Sequence, residues 1–164
     1  MSEVHVKGLA ELQKFLDQLT PKLEANVMRG ALRAGMKPVQ TDAKAHAATA
    51  SGQLRDGLKI STRIKGGRVY ARLRATGKHS YLANWIEYGT AAHEIRPKNG
   101  KSLFIAGVFG TLVNHPGARP KPFMRPALDA RAQDAVIATA EYIKKRLATK
   151  EGLDTADILI EGDE

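Results

Sequence analysis

The chain has 164 residues, 43% apolar and only 5% aromatic, with no cysteine and a formal charge of +9. That length fits one domain with a single, mostly aliphatic core, expected over residues 1–148, followed by an acidic tail over residues 149–164. Without cysteine there are no disulfides or thiolate metal sites, which fits synthesis in a reducing cytoplasm. No apolar run approaches the roughly 20 residues of a membrane helix, and the N-terminus lacks the pattern of a signal peptide, so neither export nor membrane contact is expected.

In chain order, Leu9, Leu12, Leu16 and Leu19 recur at helical spacing and predict a short amphipathic helix ending near Thr20. Thr20 as N-cap and Pro21 at the first helical position then open a longer helix. Its apolar line is Leu23, Val27, Ala31, Gly35 and Val39, with a kink expected at Pro38 and a stop near Ser51 and Gly52.

Residues 58–75, LKISTRIKGGRVYARLRA, form two alternating runs joined by Gly66 and Gly67, the pattern of a β-hairpin with a two-residue primed turn. Pairing Lys65 with Arg68 places Leu58, Ile60, Thr62 and Ile64 with Val69, Ala71, Leu73 and Ala75 on the core face. The other face then gathers Lys59, Arg63, Lys65, Arg68, Arg72 and Arg74 with Ser61 and Tyr70, and no acid. Like charges directly opposite each other are destabilising, so this face is either splayed into solvent or met by something negative. The charge is concentrated in this middle region: residues 57–127 hold thirteen Lys and Arg against Glu87 and Glu94, whereas residues 151–164 hold six carboxylates and no base around an apolar ILI.

Beyond the hairpin, Tyr81, Trp85, Ile86 and Tyr88 form the densest aromatic group, closed by Gly89. Residues 103–106 and 108–113 read as short strands broken by glycines. Residues 115–130 contain four of the seven prolines, a stiff arm that cannot become helix until about Pro126. The last helix is expected from about Pro126 to Ala148, with Leu128, Ala132, Val136, Ala140, Ile143 and Leu147 on one face. The fold class is therefore α+β: an antiparallel β-sheet with a β-hairpin, packed against a long kinked N-terminal helix and a long C-terminal helix.

The sequence gives little sign of catalysis. None of the five histidines pairs at the helical spacing of a metal site, and HEIRP lacks the second histidine of a zinc helix. Glu87 and Glu94 are too few for two-metal or paired-carboxylate chemistry, and the glycines near Gly107 and Gly110 have no phosphate-loop signature. No enzyme, cofactor or metal site is expected.

Three stretches, ASGQLRDGLKIS (50–61), YLANWIEYGTAAHEIRP (81–97) and HPGARPKPFMRPAL (115–128), occur in the order and at the spacing of signature segments in a tailed-phage family. Across roughly residues 8–148 the chain resembles the gene-ten-product-like, or minor tail protein Z-like, neck and tail-completion proteins of lambda-like phages and prophages. Gly57 departs from the pattern, standing where a small polar residue is usual. The resemblance implies a non-enzymatic virion protein at the head-to-tail junction, forming a homo-oligomeric ring, expected to be hexameric in keeping with the sixfold tail tube. It implies as neighbours the tail tube or terminator and the head-closure or connector proteins, with assembly in the host cytoplasm.

In such a ring a pre-ordered proline arm loses little entropy on docking. Glu87, Tyr88, Gly89, Thr90, His93, His115, Pro116, Gly117, Pro122, Phe123 and Arg125 are the expected subunit contacts, with Phe123 as the apolar anchor. The alternative for the arm is a surface loop that only aims the last helix, and for Trp85 and Tyr88 a turn packed into the core. Lys59, Arg63, Lys65, Arg68, Arg72 and Arg74 would face either phage DNA in the channel or an acidic neighbour, such as the tail of the next subunit. A DNA-binding regulator using the hairpin as a basic β-ribbon remains open, although that face has no Asn or Gln for reading bases.

Overall fold

Val27, Ala31, Gly35, Val39, Ala43 and Ala47 repeat every four residues and are all buried, and this line turns one side of α1 (Pro21–His46) into the spine of the molecule. The structure is a computed structural model that describes residues 21–47, 52–97, 102–105 and 107–150. The expected first helix, the Thr20 cap and the acidic tail lie outside the described residues. Pro38 sits inside α1, where it leaves the Ala34 carbonyl without its helical donor.

After α1 come α2 (Gln53–Asp56), β1 (Leu58–Lys65), β2 (Arg68–Ala75) and α3 (Leu82–Tyr88). Four short strands follow: β3 (His93–Ile95), β4 (Leu103–Ile105), β5 (Val108–Gly110) and β6 (Val113–His115). The chain then runs into α4 (Met124–Ala130) and α5 (Ala132–Lys150). The fold is α+β, with long helices near both ends of the described chain and antiparallel strand pairing throughout. That pairing is divided among three two-stranded ladders, β1–β2, β3–β6 and β4–β5. The 108–113 run therefore splits: its beginning pairs with β4, while Val113 begins a strand that pairs back to β3.

The β1–β2 register runs from Leu58 with Ala75 to Lys65 with Arg68, around Gly66 and Gly67 at φ 56° and 71°. These positive values are what a two-residue primed turn requires of both central residues. The core face is graded: Leu58 at the base is buried, while Ile64 near the tip is exposed, because the base rather than the tip packs against α1 and α2.

Two buried clusters lie along α1. One joins Val39, Ala43 and Ala47 to Leu54, Leu58, Ala83, Phe123 and Ala127; the other joins Val27 and Ala31 to Ile143 and Leu147. Between the two clusters α5 approaches the α1 backbone closely, so a Cβ at Gly35 would overlap the Thr139 hydroxyl.

The last helix differs from its expected form. It begins at Met124 and breaks at Arg131 (φ −114°, ψ 15°), whose side chain bonds Asp42 at 3.3 Å and Asp134 at 3.0 Å. Ahead of the break the helical face is shifted, so that Leu128, expected in the core, is exposed and Ala127 takes the buried position; beyond it Val136 keeps the face of Ala140 and Ile143 but is exposed because it opens onto a groove.

Candidate assembly surface

α3 and the proline arm form one unit, held by the Glu87 carboxylate. Glu87 is only 4% exposed. Its Oε2 accepts the backbone N–H groups of Phe123 at 2.8 Å and Met124 at 2.9 Å, and its Oε1 accepts that of Arg125 at 3.0 Å. Arg125 Nε adds a longer contact at 3.4 Å. These donors form the first turn of α4, whose N-cap position is Phe123, a residue with no capping side chain of its own. Glu87 thus caps α4 from elsewhere in the chain, placing negative charge where a helix N-terminus favours it. Burial pushes the Glu87 pKa up, but the three backbone donors and the Arg125 guanidinium outweigh it and hold the carboxyl below its ordinary value.

The arm is also tied down by its backbone. Thr90 and Ala118 exchange bonds of 2.9 and 3.1 Å, and Lys121 N–H donates to the Ile86 carbonyl at 2.7 Å. Gly89 ends α3 at φ 74°, and a Cβ there would stand 2.5 Å from the Ala118 carbonyl oxygen, so the tight approach depends on glycine. Gly117, at φ 84°, sits equally close to Thr90 and donates its N–H to His115 Nδ1 at 3.0 Å. His115 pairs with His93 across the β3–β6 ladder, with ring centroids 5.0 Å apart.

The outer side of this unit is apolar and basic. Trp85 is 53% exposed and Tyr88 64%, with Tyr81 set edge-on to Trp85 at 5.0 Å. The Arg125 guanidinium lies 4.8 Å from the Tyr88 ring centroid, a cation–π contact. Beside them opens a cleft of about 630 Å³ whose walls include Trp85, Ile86, His93, His115, Arg119 and Lys121. Trp85 and Tyr88 therefore do not pack into the core, the alternative raised by the sequence.

The residues expected at a subunit contact divide into two groups. Tyr88, His93, Pro116, Pro122 and Arg125 are exposed and Thr90 and His115 partly so. Glu87 and Phe123 point inward. Phe123, the expected intersubunit anchor, is 1% exposed and packs within its own chain with Leu54, Leu58 and Ala83. This corrects the sequence expectation: the ring is held by Glu87 capping at its own backbone N–H and by the cluster beneath, so it is not presented to a neighbour.

The three stretches that carry the family resemblance meet at this point. Leu54 and Leu58 come from the first, Ala83 and Ile86 from the second, and Phe123 and Ala127 from the third.

On the hairpin, Lys59, Arg63, Lys65, Arg68, Arg72 and Arg74 are all exposed and share one face, and none has a carboxylate partner among the described residues. Sequence reasoning missed the capping role of Glu87 and the tie of Arg131 to Asp42. Its available signal was a glutamate in the apolar context of α3, followed later by a helix start without a Ser, Thr, Asp or Asn cap.

Residues 10–89 match the model of the HK97-gp10-like family, described as "Bacteriophage HK97-gp10, putative tail-component". Neither a curated protein nor a solved structure matches the chain.

Proposed function

We propose that this chain, which carries the phage tail-component family segment over residues 10–89, is a structural virion protein of the head-to-tail junction that assembles as a ring. The family match is the observation that carries the reading, and it supports a role as a phage tail component working with other head and tail proteins. The ring, with about six subunits, its place between tail tube and head-closure proteins, and the passage of DNA through it are the finer parts of the proposal.

The α3–arm surface supports assembly physically. Trp85, Tyr88 and Arg125 are the residue types that dominate protein interfaces. They stand on a backbone already fixed by Glu87, Gly89 and the Thr90–Ala118 pair, so docking costs little ordering entropy. Phe123 and Glu87 serve this surface from beneath, by rigidity. The six exposed cations of the hairpin fit a channel lining that holds phosphates without reading sequence. No catalytic role is part of this reading.

The same basic face supports the second reading, a β-ribbon DNA-binding regulator, and mass separates the two. Native mass spectrometry of the purified chain, with and without duplex DNA, is expected to show a closed oligomer of about six copies. A dimer that forms on DNA alone would favour the regulator.

A further inference from the structure

A second apolar feature lies away from the α3–arm surface. α1 carries the hairpin and α5 side by side, and between them runs a groove of about 520 Å³. Its walls include Leu32 and Met36 of α1, Val69 and Ala71 of β2, and Val136 and Ala140 of α5. Val136 and Tyr70, both at this groove, are 45% and 41% exposed, so the apolar lining is open.

One wall of the groove is an unpaired strand edge. Lys65 and Arg68 flank a two-residue turn and form a hydrogen-bonded pair, so the alternation of an antiparallel ladder points the N–H and C=O groups of Val69 and Ala71 away from β1. Among the described residues, no backbone group outside the hairpin bonds to them. An edge of this kind accepts an added strand.

The edge reads Arg68, Val69, Tyr70, Ala71, Arg72: basic, apolar, aromatic, apolar, basic. Residues 157–161, outside the described residues, read Asp157, Ile158, Leu159, Ile160, Glu161: acidic, three apolar, acidic. Both patterns are palindromic, so the acids fall beside the arginines in either strand direction. We propose that residues 157–161 of this same chain add as a third strand to the free edge of β2, seating Ile158 and Ile160 in the groove and Asp157 and Glu161 beside Arg68 and Arg72. Period-two alternation puts Leu159 against Tyr70 on the basic face, where apolar cross-strand pairs are favourable.

The chain's own segment is the occupant because it can reach. Ile143 of α5 lines the groove and α5 ends at Lys150, about 10 Å further along the helix. Residues 151–156 span up to about 20 Å when extended, enough to turn back across the groove mouth. Tethering of this kind gives an effective concentration in the millimolar range. The proposal is independent of the ring reading, since it concerns a single chain.

The test uses the full-length chain with Tyr70→Cys and Leu159→Cys, the one pair opposed in both strand directions; the chain has no other cysteine. On mild oxidation at micromolar concentration, the expected product is an intramolecular disulfide, seen as monomer on a non-reducing gel with both thiols blocked to alkylation. Adding Arg68→Glu and Arg72→Glu is expected to slow the closure about fivefold to tenfold, and further adding Asp157→Arg and Glu161→Arg to restore it. Raising sodium chloride from 0.1 to 1 M gives an independent reading on the unreversed pair, a slower closure as the charges are screened. Thiols that stay reactive, or a disulfide joining two chains, would overturn the proposal, and so would a rate indifferent to both charge reversal and salt.

Discussion

Glu87 accepts the backbone N–H of Phe123 at 2.8 Å across 36 residues of sequence, so the end of α3 fixes the start of α4. The same carboxylate takes the next two backbone donors. An amide at this position has one acceptor oxygen and presents an NH₂ group to donors. Glu87→Gln is therefore expected to lose about 1.5–3 kcal/mol of stability, the cost of stranding hydrogen bonds to a charged group. Urea denaturation measures this, and an unchanged midpoint would show that the cap contributes nothing net.

The pH dependence follows from the same site. The folded-state pKa of Glu87 is held below its ordinary value of 4.5, so the unfolded chain binds the proton more readily. This contribution to stability is complete at pH values above 4.5 and is lost as pH falls through the lowered folded value. Denaturation midpoints measured from pH 7 down to pH 3 should fall for the wild type, and the fall should be shallower in Glu87→Gln. Parallel curves for the two proteins would contradict this assignment.

Phe123→Ala removes the largest buried side chain at the junction of α1, α2, β1 and α3. A cost of about 3–5 kcal/mol is expected, a large share of the roughly 5–15 kcal/mol that a domain has in total. Circular dichroism should show a strongly lowered or absent thermal transition. A variant with native stability that only fails to assemble would return Phe123 to the interface.

How much of this was legible in the sequence depends on the range of each interaction. The β1–β2 register could be read pair by pair, because period-two alternation and the Gly66–Gly67 turn are both local. The α1 line could be read as far as Val39 for the same reason. The pairing of β3 with β6 could not, since strands of three residues carry too little periodicity to choose partners. The Glu87 cap joins positions 36 residues apart, and the two local signals, a glutamate among apolar residues and a helix start without a capping side chain, do not by themselves indicate that they meet. The face of the last helix was misassigned at Leu128 because the break at Arg131, which bonds Asp42 of α1, joins positions far apart in sequence, and Val136 was placed in the core because an apolar helix face reads alike whether it is covered or opens onto a groove. The exposure of Trp85 and Tyr88 was also hidden, since an aromatic group reads alike in a core and on a surface.

Trp85→Glu combined with Tyr88→Glu changes exposed side chains only. Stability is expected to stay within about 0.5 kcal/mol of wild type for each substitution, while the sedimentation coefficient falls from that of the oligomer to that of a monomer. Persistence of the full oligomer would remove the α3–arm surface from the proposed contact.

For the hairpin, Arg63→Glu with Arg74→Glu, both on the basic face and clear of the proposed tail strand, is expected to weaken binding of duplex DNA equally for unrelated sequences. The slope of log affinity against log salt should become shallower by about 2, as two phosphate contacts are lost. Fluorescence anisotropy with two unrelated duplexes measures this. Wild-type protein with no salt-dependent DNA binding at low ionic strength would exclude the channel-lining role.

The central claim is a place in the particle, and electron microscopy of purified phage particles carrying a labelled copy of this chain tests it most directly. The account predicts label density confined to the junction of head and tail, arranged as a ring of about six copies. Label distributed along the tail, or intact particles that contain none of the protein, would contradict it.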